Sequence, residues 1–257
     1  MLNISYIHSD FFKYYSNLNN QFNLKDINKS LNLAFEEIKN ISRDTIIFPT
    51  YNYNFSKKKS FDYYKDESQV GSLSEWLRKK YRNNRSCLPI FSDCSNKGLL
   101  KKIKTKFPLG KGSVFELLYK NNSNIIFFGS DFAPSFIMYI EHMISGGPRY
   151  RYLKKFNGIL KKKGKSKVSV SFYCRPYNFN YKYDLKNLEY KLIKESILKK
   201  IYLDKKFYYL DLCVKDFYQY SMMKLKKDSF FFLDQHSKKR IKKKLGKSYN
   251  FKMRDFE

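Results

Sequence analysis

Acidic residues are scarce in this chain. Against 52 lysines and arginines stand 23 aspartates and glutamates, giving a net charge of +29 and a pI near 9.8. That imbalance implies an anionic partner, whether nucleic acid, membrane lipid, nucleotide or coenzyme. Histidine is rarer still: only His8, His142 and His236 occur, none with a partner at metal-ligand spacing, so no zinc site is expected. The four cysteines, Cys87, Cys94, Cys174 and Cys213, form no C-x-x-C pair, which points to reduced thiols in a cytoplasm rather than a disulfide framework. No apolar run approaches the ~18 residues of a membrane helix. The opening MLNISYIHSD has no basic stretch leading into an apolar one, so the expected location is cytoplasmic. No nucleic-acid motif accompanies the charge, and the basic runs at 161–163 and 238–244 fall in an expected loop and tail, so no specific nucleic-acid partner is expected.

What is present reads as a folded α/β chain. With 257 residues, 42% of them hydrophobic, a substantial core can be buried. Residues 3–8 alternate as a strand ending in His8-Ser9-Asp10. Ile27, Leu31, Ala34, Phe35 and Ile38 follow helical spacing, and Thr45-Ile46-Ile47-Phe48 is a short buried strand closed by Pro49-Thr50-Tyr51. Strand, helix, strand predicts a parallel unit with ligands at the carboxyl ends of its strands. A third buried strand is expected at 124–129, followed by a helix at 135–144; further on come a strand at 168–173, a helix at 184–198, a strand near 207–212 and a helix at 214–227. The expected architecture is a mixed, largely parallel central sheet flanked by helices. It forms one domain over residues 1–235 with a basic tail at 236–257, either an arm or an amphipathic helix on an acidic membrane surface.

The stretch from Phe61 to Ser92 organises the rest. Ser68-Gln69-Val70-Gly71 leads into a helix whose Ser72 and Glu75 have capping-box spacing. Gly71 directly before a helix start lets a bound group approach free N–H donors, a corner suited to an anionic or carbonyl oxygen; an ordinary loop entering an ordinary helix reads the same way. His8-Ser9-Asp10 has two readings as well, hydrogen bonds to a ligand or a self-stabilised turn. Ser113 and Glu116 repeat the capping spacing after Gly110-Lys111-Gly112, which lacks the full phosphate-loop pattern.

Phe61-Asp62, Ser68, Val70-Gly71, Leu73, Glu75, Arg78, Arg85-Ser86 and Pro89-Ile90-Phe91-Ser92, in that order, resemble the aminoglycoside 3-N-acetyltransferase (antibiotic N-acetyltransferase) family. The likeness is nearest to its branch associated with surface-sugar synthesis, and runs from Tyr6 to about Asp228. The resemblance implies transfer of an acetyl group from acetyl-CoA to an amine, with His8, Ser9, Asp10, Thr50, Ser68, Val70 and Gly71 on the coenzyme side. Tyr51, Ser92, Arg149 and Arg151 are implied for the acceptor side; the two arginines also read as surface cations of a packed turn. Family members carry T-x-x-H-x-x-E where this chain has Ser135, Met138 and Glu141, so the general base falls on a methionine. His142, one turn beyond, is the candidate replacement base with Glu141 orienting it, or else an ordinary histidine. Leu88 likewise replaces an acid or histidine. These departures keep open a second reading, a retired transferase fold that binds or assembles without catalysis. Because a cation-rich protein repels polycationic aminoglycosides, an anionic amino sugar is the expected acceptor.

Overall fold

The computed structural model describes residues 2–22, 26–176 and 179–245. In chain order the strands are β1 (Ile4–Ser9), β2 (Thr45–Pro49), β3 (Ser60–Asp62), β4 (Asp93–Ser95), β5 (Asn124–Phe128), β6 (Tyr152–Lys161), β7 (Lys165–Cys174), β8 (Leu198–Tyr202) and β9 (Tyr208–Cys213). The helices are α1 (Phe11–Phe22), α2 (Ile27–Ile41), α3 (Phe55–Lys58), α4 (Ser72–Lys80), α5 (Val114–Lys120), α6 (Phe136–His142), α7 (Leu185–Lys194), α8 (Val214–Lys227) and α9 (Gln235–Leu245).

Six strands form the central sheet in the order β4-β2-β1-β5-β9-β8, and a second sheet has the order β3-β6-β7. Only β2, β1 and β5 run parallel; β4, β9 and β8 are added antiparallel at the two edges. The expectation of a largely parallel sheet is therefore corrected to a parallel centre with antiparallel edges. The reason is local: β8 and β9 are joined by a short turn, which permits only an antiparallel pair.

The parallel centre is buried on both faces, as its unbroken apolar runs require. Ile4 and Tyr6 of β1, Ile47 of β2 and Ile125 and Phe127 of β5 face one core with Phe115, Phe136 and Ile140 from α5 and α6. Ile7, Ile46, Phe48, Ile126 and Phe128 face the other, against Phe11 and Tyr14 of α1, Leu31, Phe35 and Ile38 of α2, and Leu73 and Leu77 of α4. A third cluster gathers Tyr150, Tyr181, Phe230 and Ile241. The last of these lies on α9, so the first part of the stretch expected as a tail is packed on the body; residues 246–257 fall outside the described residues. No described helix is long and apolar enough to cross a membrane.

Candidate functional site

The carboxyl ends of β1, β2 and β5 deliver His8-Ser9-Asp10, Thr50-Tyr51 and Gly129-Ser130 to one edge of the sheet. Gly71 meets that edge. Its backbone has φ +113°, and a Cβ built on it would stand 3.9 Å from the Ser9 carbonyl oxygen. The loop before it is fastened to the β2 end, since Gln69 N–H donates to the Tyr51 carbonyl at 2.8 Å. Gly71 itself takes the N-cap position of α4, which corrects the expected capping box. Ser72 lies inside the first turn with its Oγ buried and unpartnered, while Glu75 accepts from Ser68 N–H at 2.7 Å and pairs with Arg78. At α5 the expected box does form in part: Ser113 accepts from Glu116 N–H, and Glu116 reaches Gly112 N–H.

Several polar groups converge on this edge. His8 stacks on Phe127 and meets Tyr6 edge-on, with Nε2 buried and unpartnered; burial lowers its pKa to about 4. Beneath it, Tyr6 Oη donates to Asp93 Oδ1 at 2.7 Å and lies 2.8 Å from Tyr51 Oη. Burial raises the Asp93 carboxyl to about 7, against the pull of Tyr6 and the charge of Arg85. Asp93 carries no sequence signal beyond being an acid in an apolar stretch, and sequence reasoning missed it. The available clue was Tyr6, a tyrosine inside a doubly buried strand, whose hydroxyl must find a partner.

Other candidates have settled partners. Thr50 and Ser92 are fully buried and bond each other and Arg85, whose guanidinium also donates to the carbonyls of Thr50, Tyr63 and Asp66. They hold the loop in place, and their hydroxyls are engaged by Arg85 and by each other. Asp10 accepts from Lys13 N–H at the start of α1, and Ser68 Oγ accepts from Val70 N–H. Arg149 lies over the Phe230 ring.

Glu141 and Arg151 have settled partners too. They form an ion pair at 2.8 Å, at 1% and 6% side-chain exposure, and the two tyrosines Tyr150 and Tyr183 donate to the same carboxylate. Glu141 therefore orients Arg151 rather than His142, and Arg151 has no free face to clamp a phosphate. His142 lines a cavity of about 430 Å³ with Phe107, Gly110, Lys111 and Tyr173, none of which belongs to segments 8–10 or 68–71. Its Nε2 accepts from Tyr173 N–H at 3.4 Å, and burial together with the Arg151 cation lowers its pKa to about 4. That makes His142 a weak base. Met138 packs against the core. Leu88 lines a wide, mostly apolar hollow of about 1050 Å³ with Ile103, Ile159 and Val168, rimmed by Lys59, Lys104, Lys106 and Lys167. Among the described residues no group of three or more His, Cys, Asp and Glu side chains could hold a metal.

The sequence model of the aminoglycoside 3-N-acetyltransferase family matches residues 40–212. The chain belongs to the aminoglycoside 3-N-acetyltransferase family. Solved aminoglycoside 3-N-acetyltransferases share its fold. The apoenzyme of aminoglycoside acetyltransferase AAC(3)-IVa is 13% identical, with 90% of this chain and 85% of that chain covered and a TM-score of 0.65. AAC-IIIb in a binary structure with CoASH is 11% identical, with 88% and 90% covered and a TM-score of 0.69. The YokD protein from Bacillus subtilis is 13% identical, with 88% of each chain covered and a TM-score of 0.64. Among curated proteins none matches the chain. Identities this low carry the fold alone, so what the site does rests on its own residues.

Proposed function

We propose that this member of the aminoglycoside 3-N-acetyltransferase family transfers an acetyl group from acetyl-CoA to the amine of an anionic amino sugar. The observation that carries the reading is the meeting of Gly71 with Ser9 at the carboxyl edge of β1. Ser72 Oγ in the first turn of α4 and His8 Nε2 next to Ser9 are each buried without a partner. Buried polar atoms without partners fit a ligand rich in amide and phosphate groups. His8, Ser9, Val70, Gly71 and the α4 turn would hold the coenzyme, with Ser68 and Asp10 shaping the loop and turn. The coenzyme would supply a thioester, whose carbonyl oxygen gains charge as an amine attacks; preorganised N–H donors are the usual way to stabilise that charge. In the relatives, AAC-IIIb is bound to CoASH and AAC-VIa to sisomicin. An anionic acceptor suits this chain better, because its charge of +29 repels polycations.

A binding-only role is favoured by one observation, Met138 standing where the family has histidine. Two measurements separate the readings. Titration with acetyl-CoA should raise the unfolding temperature saturably, by about 2.7 kcal/mol of stability at a hundredfold excess over Kd. Thiol release should then be followed with a panel of nucleotide-linked amino sugars and aminoglycosides. Saturable binding without thiol release would leave only the binder, and no binding would overturn both.

A further inference from the structure

We infer that the hollow where β6 and β7 meet the loop before α5 is a binding site for an anionic amphiphile, a linear aliphatic chain that ends in a phosphate or carboxylate. The site is separate from the acetyl-transfer edge: no residue lining it belongs to segments 8–10 or 68–71, and the inference stands or falls without that reading.

The walls select the chain. Leu88, Ile103, Ile159, Leu160 and Val168 bring branched aliphatic groups around a volume of about 1050 Å³, ample for a small ligand. Aromatic residues make up 19% of the protein, yet among the described residues that line the hollow none is aromatic. A nucleobase would find no ring to stack on, whereas each methylene of an aliphatic chain leaves water for an apolar wall.

The rim selects the charge. Lys59 follows α3, Lys104 and Lys106 come from the loop before α5, and Lys167 comes from β7, so three parts of the chain bring four cations to one opening. Among the described residues none of the four has an ion-pair partner, and none of those lining the hollow is Asp or Glu. An oxyanion is attracted to such an opening and a cationic head is repelled. Lys162 adds to it from beside the lining, with Nζ donating to Cys87 Sγ at 3.3 Å and standing 4.1 Å from the centre of the Tyr63 ring.

The loop that carries Lys104 and Lys106 is fastened without using their ammonium groups. Ser171 N–H of β7 donates to the Lys106 carbonyl at 2.7 Å, and Thr105 Oγ1 donates to the Lys111 carbonyl at 2.7 Å. The hollow is therefore built before a ligand arrives, and its cations are left to meet one.

The test uses the full chain and calorimetric titration with dodecyl phosphate and dodecanoate, each below its micellar concentration. A single saturable site should appear, and whichever head binds more tightly names the source of the anion. Shortening the chain by two methylenes should weaken binding by about tenfold. Lys104→Glu combined with Lys106→Glu, both exposed, should weaken it by about tenfold at low salt and by less at high salt, with the melting curve reporting folding separately. Cys87 gives a readout at the site itself: at ten times Kd, dodecyl phosphate should slow its modification by N-ethylmaleimide about tenfold, mapped by peptide mass, while Cys213, which does not line the hollow, reacts as before. Dodecyltrimethylammonium binding as tightly as dodecyl phosphate, inorganic phosphate binding as tightly as the chain that carries it, or binding that leaves Cys87 unprotected would each overturn the site. Attachment to phosphatidylglycerol vesicles with no binding of the monomeric amphiphile would overturn it as well, in favour of a charged surface on a membrane.

Discussion

Replacing Asp93 by asparagine should change stability in a way that depends on pH. The carboxyl is fully buried and its pKa is carried from an ordinary 3.8 up to about 7, chiefly by burial. The folded protein therefore holds a proton that the unfolded chain has already released over this interval. By linkage, stability falls as pH rises between those two values, at up to about 1.4 kcal/mol per pH unit, and no further loss accrues above about 7. The whole effect comes to about 4 kcal/mol, an upper bound because protein and water relax around a buried charge. Asparagine keeps an oxygen to accept from Tyr6 and carries no charge. Relative to the wild type, the variant should gain stability steadily from about pH 4 to about pH 7 and hold the gain beyond. Urea unfolding at a series of pH values, with an unchanged m-value as the check on two-state behaviour, measures it. Parallel stability curves for the two proteins would refute the buried, proton-holding carboxyl.

Two further outcomes follow from packing and charge. Glu141→Gln leaves the Arg151 guanidinium buried without its counter-charge, and should cost about 3 to 5 kcal/mol in urea unfolding. Burial would lower the pKa of Arg151, and Glu141 together with Tyr183 and Tyr181 outweighs it, so the pKa is raised. Gly158→Ala would put a Cβ 2.3 Å from the Lys59 carbonyl oxygen and 2.6 Å from Phe55, where the backbone of β3 and β6 cannot yield; a loss of about 1 to 3 kcal/mol is expected from the shifted urea midpoint.

Much of the central sheet could be read from the chain because its parallel strands are buried on both faces, which leaves continuous apolar runs such as Thr45-Ile46-Ile47-Phe48 and Asn124-Ile125-Ile126-Phe127-Phe128. The approach of Gly71 to Ser9 was legible too, since a glycine before a helix and a polar strand end are both local signals. Helix α1 was not: Phe11, Tyr14 and Leu18 have helical spacing, but the segment is rich in asparagine and tyrosine, and tertiary packing rather than propensity holds it. Strand β6, between two sheet neighbours, interrupts its apolar residues with Lys154-Lys155 and Asn157-Gly158 and offers no buried run. Partners of buried polar groups were the least legible part. Glu141 was expected to turn towards His142, and only the fold reveals that Arg151, Tyr150 and Tyr183 claim it first. The link between Tyr6 and Asp93 spans 87 positions, and nothing local to either residue announces it.

The guanidinium of Arg85 has a consequence for how this mouth opens. By grasping carbonyls at Thr50, Tyr63 and Asp66 at once, one side chain keys the turn after β2 and the loop after β3 to its own segment. Those loops cannot breathe independently: a visitor large enough to need more room must lift them as a block or enter past Gly71, where the rim has no side chain to displace.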